Sequence, residues 1–239
     1  DPYERNYTKA AKYCDVLAVD PYPREIHPVT SFVYNTIKRT VEIVENDKPV
    51  YSMIQAFKWG GYFPNDADIR NMYYQSLFAG AKGVSYYTDA SSIGGLQIYD
   101  SEIWDEIQSI GLKESQEVIE TYVSGQYPLL AGDDNDSFRY RAVKREGQTY
   151  VAAINVSDVD NTVTLPIPGL TGASALKPIS LKGTVSTGYN CAYIELKARE
   201  VALFKTDSSF LDSGDFEGDN QKWYLSSSSQ VVIAGDSIN

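Results

Sequence analysis

Apolar positions in residues 1–125 show two rhythms. Short runs that are apolar on both faces, DVLAVD (15–20), PVYSMIQ (49–55) and GVSYYTD (83–89), alternate with segments whose apolar residues return every three or four positions. Those segments are YTKAAKYC (7–14), TSFVYNTIKRTVEIVEN (30–46), NDADIRNMYYQSLFAGA (65–81) and the long stretch 100–125. Asn65 or Asp66 is a candidate N-cap for the third, with Gly80 near its end; the last carries Ile103, Ile107, Ile110, Val118 and Tyr122 on one stripe, interrupted by Gly111. Doubly apolar strands alternating with amphipathic helices predict a parallel sheet with right-handed crossovers. Three such strands do not close a barrel.

After Gly125 the rhythm changes to short strands. FRYRAVKREGQTYVAAINVS (138–157) reads as two strands around a turn at Arg145–Gln148 that contains Gly147. NTVTLPIP, GTVS, NCAYIELKA and EVALFKT continue the pattern. The expected organisation is α/β over residues 1–125, a small antiparallel β-sandwich over 126–207, and a linker with the opening strands of another, truncated β module over 208–239.

Composition narrows the chemistry. The chain has 239 residues, 43% of them hydrophobic, which suits a globular fold with a sizeable core. A formal charge of -11, from 32 acidic and 21 basic residues, repels phosphate backbones and anionic membranes, so nucleic acid is not an expected partner. No apolar run approaches the roughly 18 residues of a membrane span, and no basic-then-apolar signal opens the chain. Because the chain begins at Asp1, an upstream portion is expected to be processed or cut away. Cys14 and Cys191 are read as buried free thiols. With a single histidine, His27, before Pro28, the material for a histidine triad or a transition-metal site is poor. Carboxylates, amides and the 19 tyrosines and three tryptophans are left to act, and flat amphipathic rings suit polar ligands with apolar faces.

The succession DVLAVDPYP, KPVYSMIQAF, YFPNDADIRNMYYQSLFAGAKGVSYYTD, then a Trp-containing helix and a β domain, resembles the C-terminal portion of a (β/α)8 glycoside hydrolase of the β-galactosidase-like retaining clan. The resemblance covers roughly residues 1–205 and is strongest over 48–88. It implies a partial (β/α)8 TIM-type barrel supplying the last three strands, a carbohydrate substrate, two-carboxylate hydrolysis without a cofactor, and a secreted or cell-surface location. It also implies a missing N-terminal barrel half, or self-association through the open barrel edge.

Barrel enzymes place their chemistry at the C-terminal ends of the strands, which here carry Asp20 with Tyr22, Gln55 with Trp59, and Tyr87 with Asp89. In the resembled clan the seventh strand ends in a glutamate nucleophile, where this chain has Gln55. An amide can hydrogen-bond sugar hydroxyls but cannot be that nucleophile. Three accounts stay open. Gln55 orients substrate while Asp20 or Asp89 and a carboxylate from the absent strands act; or the protein binds carbohydrate without cleaving it; or Gln55 is a structural amide. Asp20 is an acid or hydroxyl acceptor, or it caps the DPYP turn. Trp59 is a sugar-stacking platform or packs under its loop. Tyr86 and Tyr87 point to opposite faces, so one of them at most faces a barrel interior, and Tyr87 is the candidate for ligand contact.

GDDNDS (132–137) lacks the glycine and closing glutamate of an EF-hand loop and reads as a solvated turn. FLDSGDFEG (210–218) is similar to the opening of β-sandwich carbohydrate-binding modules, which implies a structural calcium near Glu217. The competing functional class is a non-catalytic carbohydrate-binding protein on a degenerate barrel. A carboxylate pair across the cleft favours the enzyme.

Overall fold

The computed structural model describes residues 2–23, 31–45, 47–59, 61–88, 100–134, 137–170, 176–180 and 184–206. Three short strands, β1 (Leu17–Val19), β2 (Val50–Gln55) and β3 (Gly83–Tyr87), form a parallel sheet in the order β1-β2-β3. The helices α1 (Pro2–Ala11), α2 (Phe32–Ile43), α3 (Asp66–Phe78) and α4 (Ser101–Ser109) flank these strands in the sequence. The parallel sheet expected from the two rhythms is therefore present, with strands a residue or two shorter at their ends. Lys48, just before β2, ties the segment between α1 and β1 to the start of β2, its ammonium donating to the carbonyls of Ala11 and Cys14.

The two faces of this sheet differ. Val50, Ser52 and Ile54 of β2 are buried towards the helices, where Ser76 Oγ of α3 donates to Ser52 Oγ at 2.9 Å. Strand alternation puts Tyr51, Met53 and Gln55 on the other face, beside Ala18 of β1 and Ser85 and Tyr87 of β3 in the register. Tyr51 is 46% exposed there. Among the described residues β1 and β3 each pair on one side only.

α3 starts and stops on signals in its own sequence. Asn65 Oδ1 accepts from Asp68 N at 2.9 Å while Asp68 Oδ2 accepts from Asn65 N at 3.0 Å, a reciprocal capping box. At the other end Gly80 adopts φ 103°, and Gly80 N and Ala81 N bond to the carbonyls of Leu77 and Ser76, a Schellman closure that a left-handed glycine permits. The final helix is less regular than its stripe suggests. α4 runs into a π-helical turn (Ile110–Glu114), a short α-helical turn (Ser115–Val118) and a second π-helical turn (Ile119–Val123). A π turn adds a residue to one turn and rotates the helix beyond it. Glu114 is thereby directed inward, where it accepts from Arg70 Nη1 and Nη2 (2.8 Å each) and from Tyr74 Oη (2.7 Å).

The remaining strands are antiparallel: β4 (Leu129–Asp134), β5 (Phe138–Arg145), β6 (Gln148–Asn155), β7 (Asn161–Pro166), β8 (Leu176–Ser180), β9 (Thr184–Gly188), β10 (Cys191–Leu196) and β11 (Val201–Thr206). They make one sheet in the order β4-β5-β6-β11-β8 and another in the order β7-β10-β9. The β5–β6 turn is where Gly147 predicts it, with Glu146 at φ 51° and Gly147 at φ 80°. β4 and β8 are strands that the sequence pattern does not predict. Gly132 and Asp133, expected in a solvated turn, are strand residues paired with Arg141 and Tyr140. Cys14 and Cys191 are free, but both are partly exposed rather than buried.

The central strands of the five-stranded sheet are buried on both sides. Val151, Ala153, Ala202 and Phe204 share a core with Leu165, Ala192, Ile194 and Leu196 of the three-stranded sheet. Ala152, Ile154, Val201 and Leu203 face the opposite way and join the core of the helices and the parallel sheet. One sheet thus serves two cores.

Two consequences can be measured. Arg70→Met leaves Glu114 buried without the Arg70 guanidinium, and breaking a buried pair in this way costs about 3–5 kcal/mol. Urea unfolding is expected to show that loss, and a change below about 1 kcal/mol would mean that the ion pair is solvated. The second concerns pH. Burial, and then neighbouring carboxylates or phenols, hold the tyrosine hydroxyls protonated: Tyr73 is pushed up to about 12, and Tyr74 and Tyr122 are raised well above the ordinary 10.0. The unfolded chain releases these protons near pH 10 and the folded chain does not. Stability is therefore fully present below pH 10 and falls as pH rises beyond it, by about 1.4 kcal/mol per pH unit for each deeply buried phenol. Urea melts at pH 9, 10 and 11 check this, and a flat profile would contradict it.

Candidate functional site

The C-terminal ends of the three parallel strands meet in one place. Beyond β1, Tyr22 N donates to the Asp20 carbonyl at 2.9 Å, so the Asp-Pro-Tyr-Pro segment turns within three residues. Pro21 and Pro23 are buried, Tyr22 is half-buried, and Asp20 is exposed. Burial first, and then the Asp20 carboxylate that accepts from its phenol, push the ionisation of Tyr22 upward. Asp20 thus lies beside an aromatic ring it helps to orient.

β2 ends in Gln55, paired in register with Tyr87 of β3, and the next residue fastens the two strands through Ala56 N and the Tyr87 carbonyl at 2.9 Å. Gln55 is 0% exposed. Its Nε2 donates to the Phe57 carbonyl at 2.9 Å, while its Oε1 has no hydrogen-bond partner among the described residues. An unpaired buried acceptor costs about 1–3 kcal/mol, which makes this oxygen a place where a donor would be welcomed.

Phe57 is the hub of an aromatic cluster. Its centroid lies 5.2 Å from Tyr22 and 5.3 Å from Tyr87, both edge-to-face, and 6.0 Å from Trp59 in a stacked arrangement. Tyr22 is 5.9 Å from both Trp59 and Tyr87. Trp59 and Tyr87 remain 37% and 48% exposed, so the cluster presents aromatic surface to solvent. Tyr86, by contrast, stacks on Tyr73 of α3, with centroids 6.5 Å apart, on the helix side of its strand.

A small hairpin holds Trp59. Trp59 and Tyr62 exchange backbone hydrogen bonds of 2.9 and 3.0 Å, with Gly61 at φ 91° in the turn between them. Tyr62 Oη then donates to Asp68 Oδ2 at 2.7 Å, and Asp68 Oδ1 accepts from Arg199 Nη1 at 2.7 Å.

Of the residues singled out from sequence, Tyr22, Gln55, Trp59 and Tyr87 come together with Asp20 at the strand ends. Asp89, Glu217 and His27 lie outside the described residues. Phe57 supplies the ring that joins the cluster, while Tyr62, Asp68 and Arg199 are site supports that no sequence pattern marked as such. Only the Asn65–Asp68 capping spacing hinted at a fixed Asp68. Among the described residues no group of three or more His, Cys, Asp or Glu side chains is placed to hold a metal ion. No helix among them is long and apolar enough to cross a membrane.

No family model and no curated protein matches this chain. Solved structures similar to it include an α-amylase from Geobacillus thermoleovorans in complex with acarbose, at 13% identity and a TM-score of 0.48, over 88% of this chain and 65% of that one. A GH30 endoxylanase from Clostridium papyrosolvens C71 has 14% identity and a TM-score of 0.46, over 83% and 50% of the two chains. A GH51 arabinofuranosidase from Xanthomonas axonopodis pv. citri has 12% identity and a TM-score of 0.47, over 85% and 55%. The chain therefore spans about half to two thirds of the length of these structures.

The surroundings of Gln55 generate a test. In Gln55→Glu a protonated carboxyl can donate to the Phe57 carbonyl as the amide does, whereas the ionised form is a buried charge facing an acceptor. Its folded pKa is raised, so its stability is intact below about pH 4, the unfolded value, and is lost as pH rises through the folded value. Relative to the parent, the variant is expected to be near neutral at pH 4 and weaker by about 2 kcal/mol or more at pH 8 in urea melts. An equal difference at both pH values would mean that water or a cationic group reaches this position.

Proposed function

We propose that this chain is the C-terminal part of a (β/α)8 glycoside hydrolase acting on oligo- or polysaccharide, with the three strand ends forming one wall of the sugar cleft. The observation that carries the reading is the half-exposed cluster of Tyr22, Phe57, Trp59 and Tyr87, set beside a buried unpaired amide oxygen and the Asp20 carboxylate. Apolar faces of sugar rings stack on such surfaces, and phenol or carboxyl groups at their rim can meet the sugar hydroxyls. In this reading Trp59 and Tyr87 supply the stacking surface and Tyr22 aligns hydroxyls, while Gln55, buried beneath the cluster, contacts them only once the site opens.

Asp20 or Asp89 is the proposed carboxyl group on this wall, paired with a carboxylate from the strands opposite. Two-carboxylate hydrolysis requires one to protonate the leaving oxygen and another to attack or to activate water across the sugar. Barrel strands upstream, or a second copy meeting the open edges of β1 and β3, would supply the opposite wall. The two antiparallel sheets read as an appended β-sandwich, a secreted or cell-surface location is what the resemblance implies, and no cofactor is required. A structural calcium near Glu217 stays a proposal of the same origin.

Gln55 itself favours a second reading. An amide cannot replace the glutamate nucleophile that the resemblance expects there, so binding without cleavage fits this residue directly.

Affinity electrophoresis through gels containing soluble starch, xylan or galactan tests the carbohydrate reading. At least one polysaccharide is expected to retard the chain, and Trp59→Ala is expected to weaken that retardation about ten-fold, the loss of a stacking contact of about one to two kcal/mol. Lack of retardation by all three, or retardation indifferent to Trp59→Ala, would overturn it. The chain alone is expected to leave chromogenic glycosides uncleaved, because one wall does not bracket the bond. Turnover well above the buffer rate would overturn its standing as a partial cleft.

A further inference from the structure

The exposed aromatic surface is fastened by a residue of the antiparallel region, nowhere near it in sequence. Arg199 lies in the turn between β10 and β11 with φ 61°, and its guanidinium reaches the carboxylate of Asp68 at 2.7 Å. Asp68 is almost completely buried. Besides Arg199 it accepts from Asn65 N at 3.0 Å and from Tyr62 Oη at 2.7 Å. Tyr62 is the partner strand residue of Trp59.

We propose that Arg199 and Asp68 are positioning residues for Trp59, so that the turn between β10 and β11 sets the exposure of the aromatic surface at the ends of β1, β2 and β3. A two-residue hairpin containing glycine, joined by a single pair of backbone bonds, is marginal by itself. It is held because Tyr62 Oη has a fixed carboxylate to meet, and that carboxylate is fixed in turn by the helix cap and by Arg199. Burial, and then Asp68, also hold the Tyr62 phenol in its protonated, donating form. Arg199 is itself constrained, its carbonyl accepting from Asn71 Nδ2 at 2.7 Å and its Nε lying 3.4 Å from Asp158. The route from β10–β11 to Trp59 therefore consists of hydrogen-bonded groups at every step. Its functional consequence, though not its geometry, rests on the reading of Trp59 as a sugar-contact residue.

The test isolates Trp59 by its fluorescence. In the full chain carrying Trp104→Phe and Trp223→Phe, acrylamide quenching reports the exposure of Trp59 without any sugar present. Arg199→Ala and Tyr62→Phe are expected to raise the quenching constant about two-fold as the hairpin opens locally, and Arg199→Lys to restore part of the protection. Lys197→Ala, in the same turn but paired with Asp160 at 2.8 Å, is expected to leave quenching unchanged. Melting temperatures identify any variant that fails to fold; Tyr62→Phe, which removes one oxygen, keeps the test available if Arg199→Ala does so. Quenching equal to the parent in a folded Arg199→Ala or in Tyr62→Phe, or an equal rise in Lys197→Ala, would overturn the proposal. Altered quenching in a protein that no polysaccharide retards would uphold the positioning role and remove the carbohydrate reading alone.

Discussion

Every residue of α3 from Asp68 to Phe78 is buried, so each polar side chain on that helix has to find its partner inside the protein. Most of them meet partners on several neighbouring elements. Arg70 and Tyr74 meet Glu114, with Glu106 also bound to Arg70. Asn71 donates to the carbonyls of Asn155 and Arg199, and Gln75 accepts from Tyr34 N while donating to Asn71. Ser76 reaches Ser52 in the parallel sheet, and Asp68 meets Tyr62 and Arg199. Burial works against the charge of Arg70, but the Glu114 and Glu106 carboxylates more than offset it and hold the guanidinium protonated. The helix is a polar spine in an apolar setting, tolerable only while all of these partners are in place.

That constraint ties the parallel sheet to the antiparallel region. The five-stranded sheet turns Ile154, Leu203 and Val201 towards α3, and the same boundary carries the Asn71, Asp68 and Arg139 contacts, with the Arg139 guanidinium 3.7 Å from the centroid of the Tyr34 ring. Lys205 with Glu117, and Arg145 with Glu120, extend the boundary towards the surface. Pulling the two regions apart would expose apolar side chains and orphan several buried polar groups together. The strand ends are joined to this network through β2 and the Tyr62–Asp68 contact, while the Trp59 and Tyr87 rings remain open to solvent.

Much of this was legible in the sequence. The three parallel strands, the helices and the β5–β6 hairpin announce themselves by period and turn chemistry, and the strand ends gathered the polar and aromatic residues of the candidate site. The missed strands have physical reasons. β4 and β8 are the edges of their sheet, and edges tolerate what interiors do not: β4 contains Gly132 and ends in acidic residues, and β8 carries Pro178 at its middle. The π-helical turns cannot be read from an apolar stripe that Gly111 merely interrupts. Nor does the period of α3 disclose that Arg70, Asn71 and Gln75 are interior, because what makes them so lies at Glu114, Asn155 and Arg199. The role of Arg199 at Trp59 was invisible for the same reason.

The central claim is that α3 and its buried partners bind the two regions into one cooperative unit. Native-state hydrogen exchange measures this directly, by comparing the opening free energies of amides in α3, in β2 and in β6 and β11 as denaturant is raised. All of them are expected to converge on the free energy of global unfolding. Slow exchange in β6 and β11 alongside α3 and β2 amides that open at a distinctly lower free energy would contradict it.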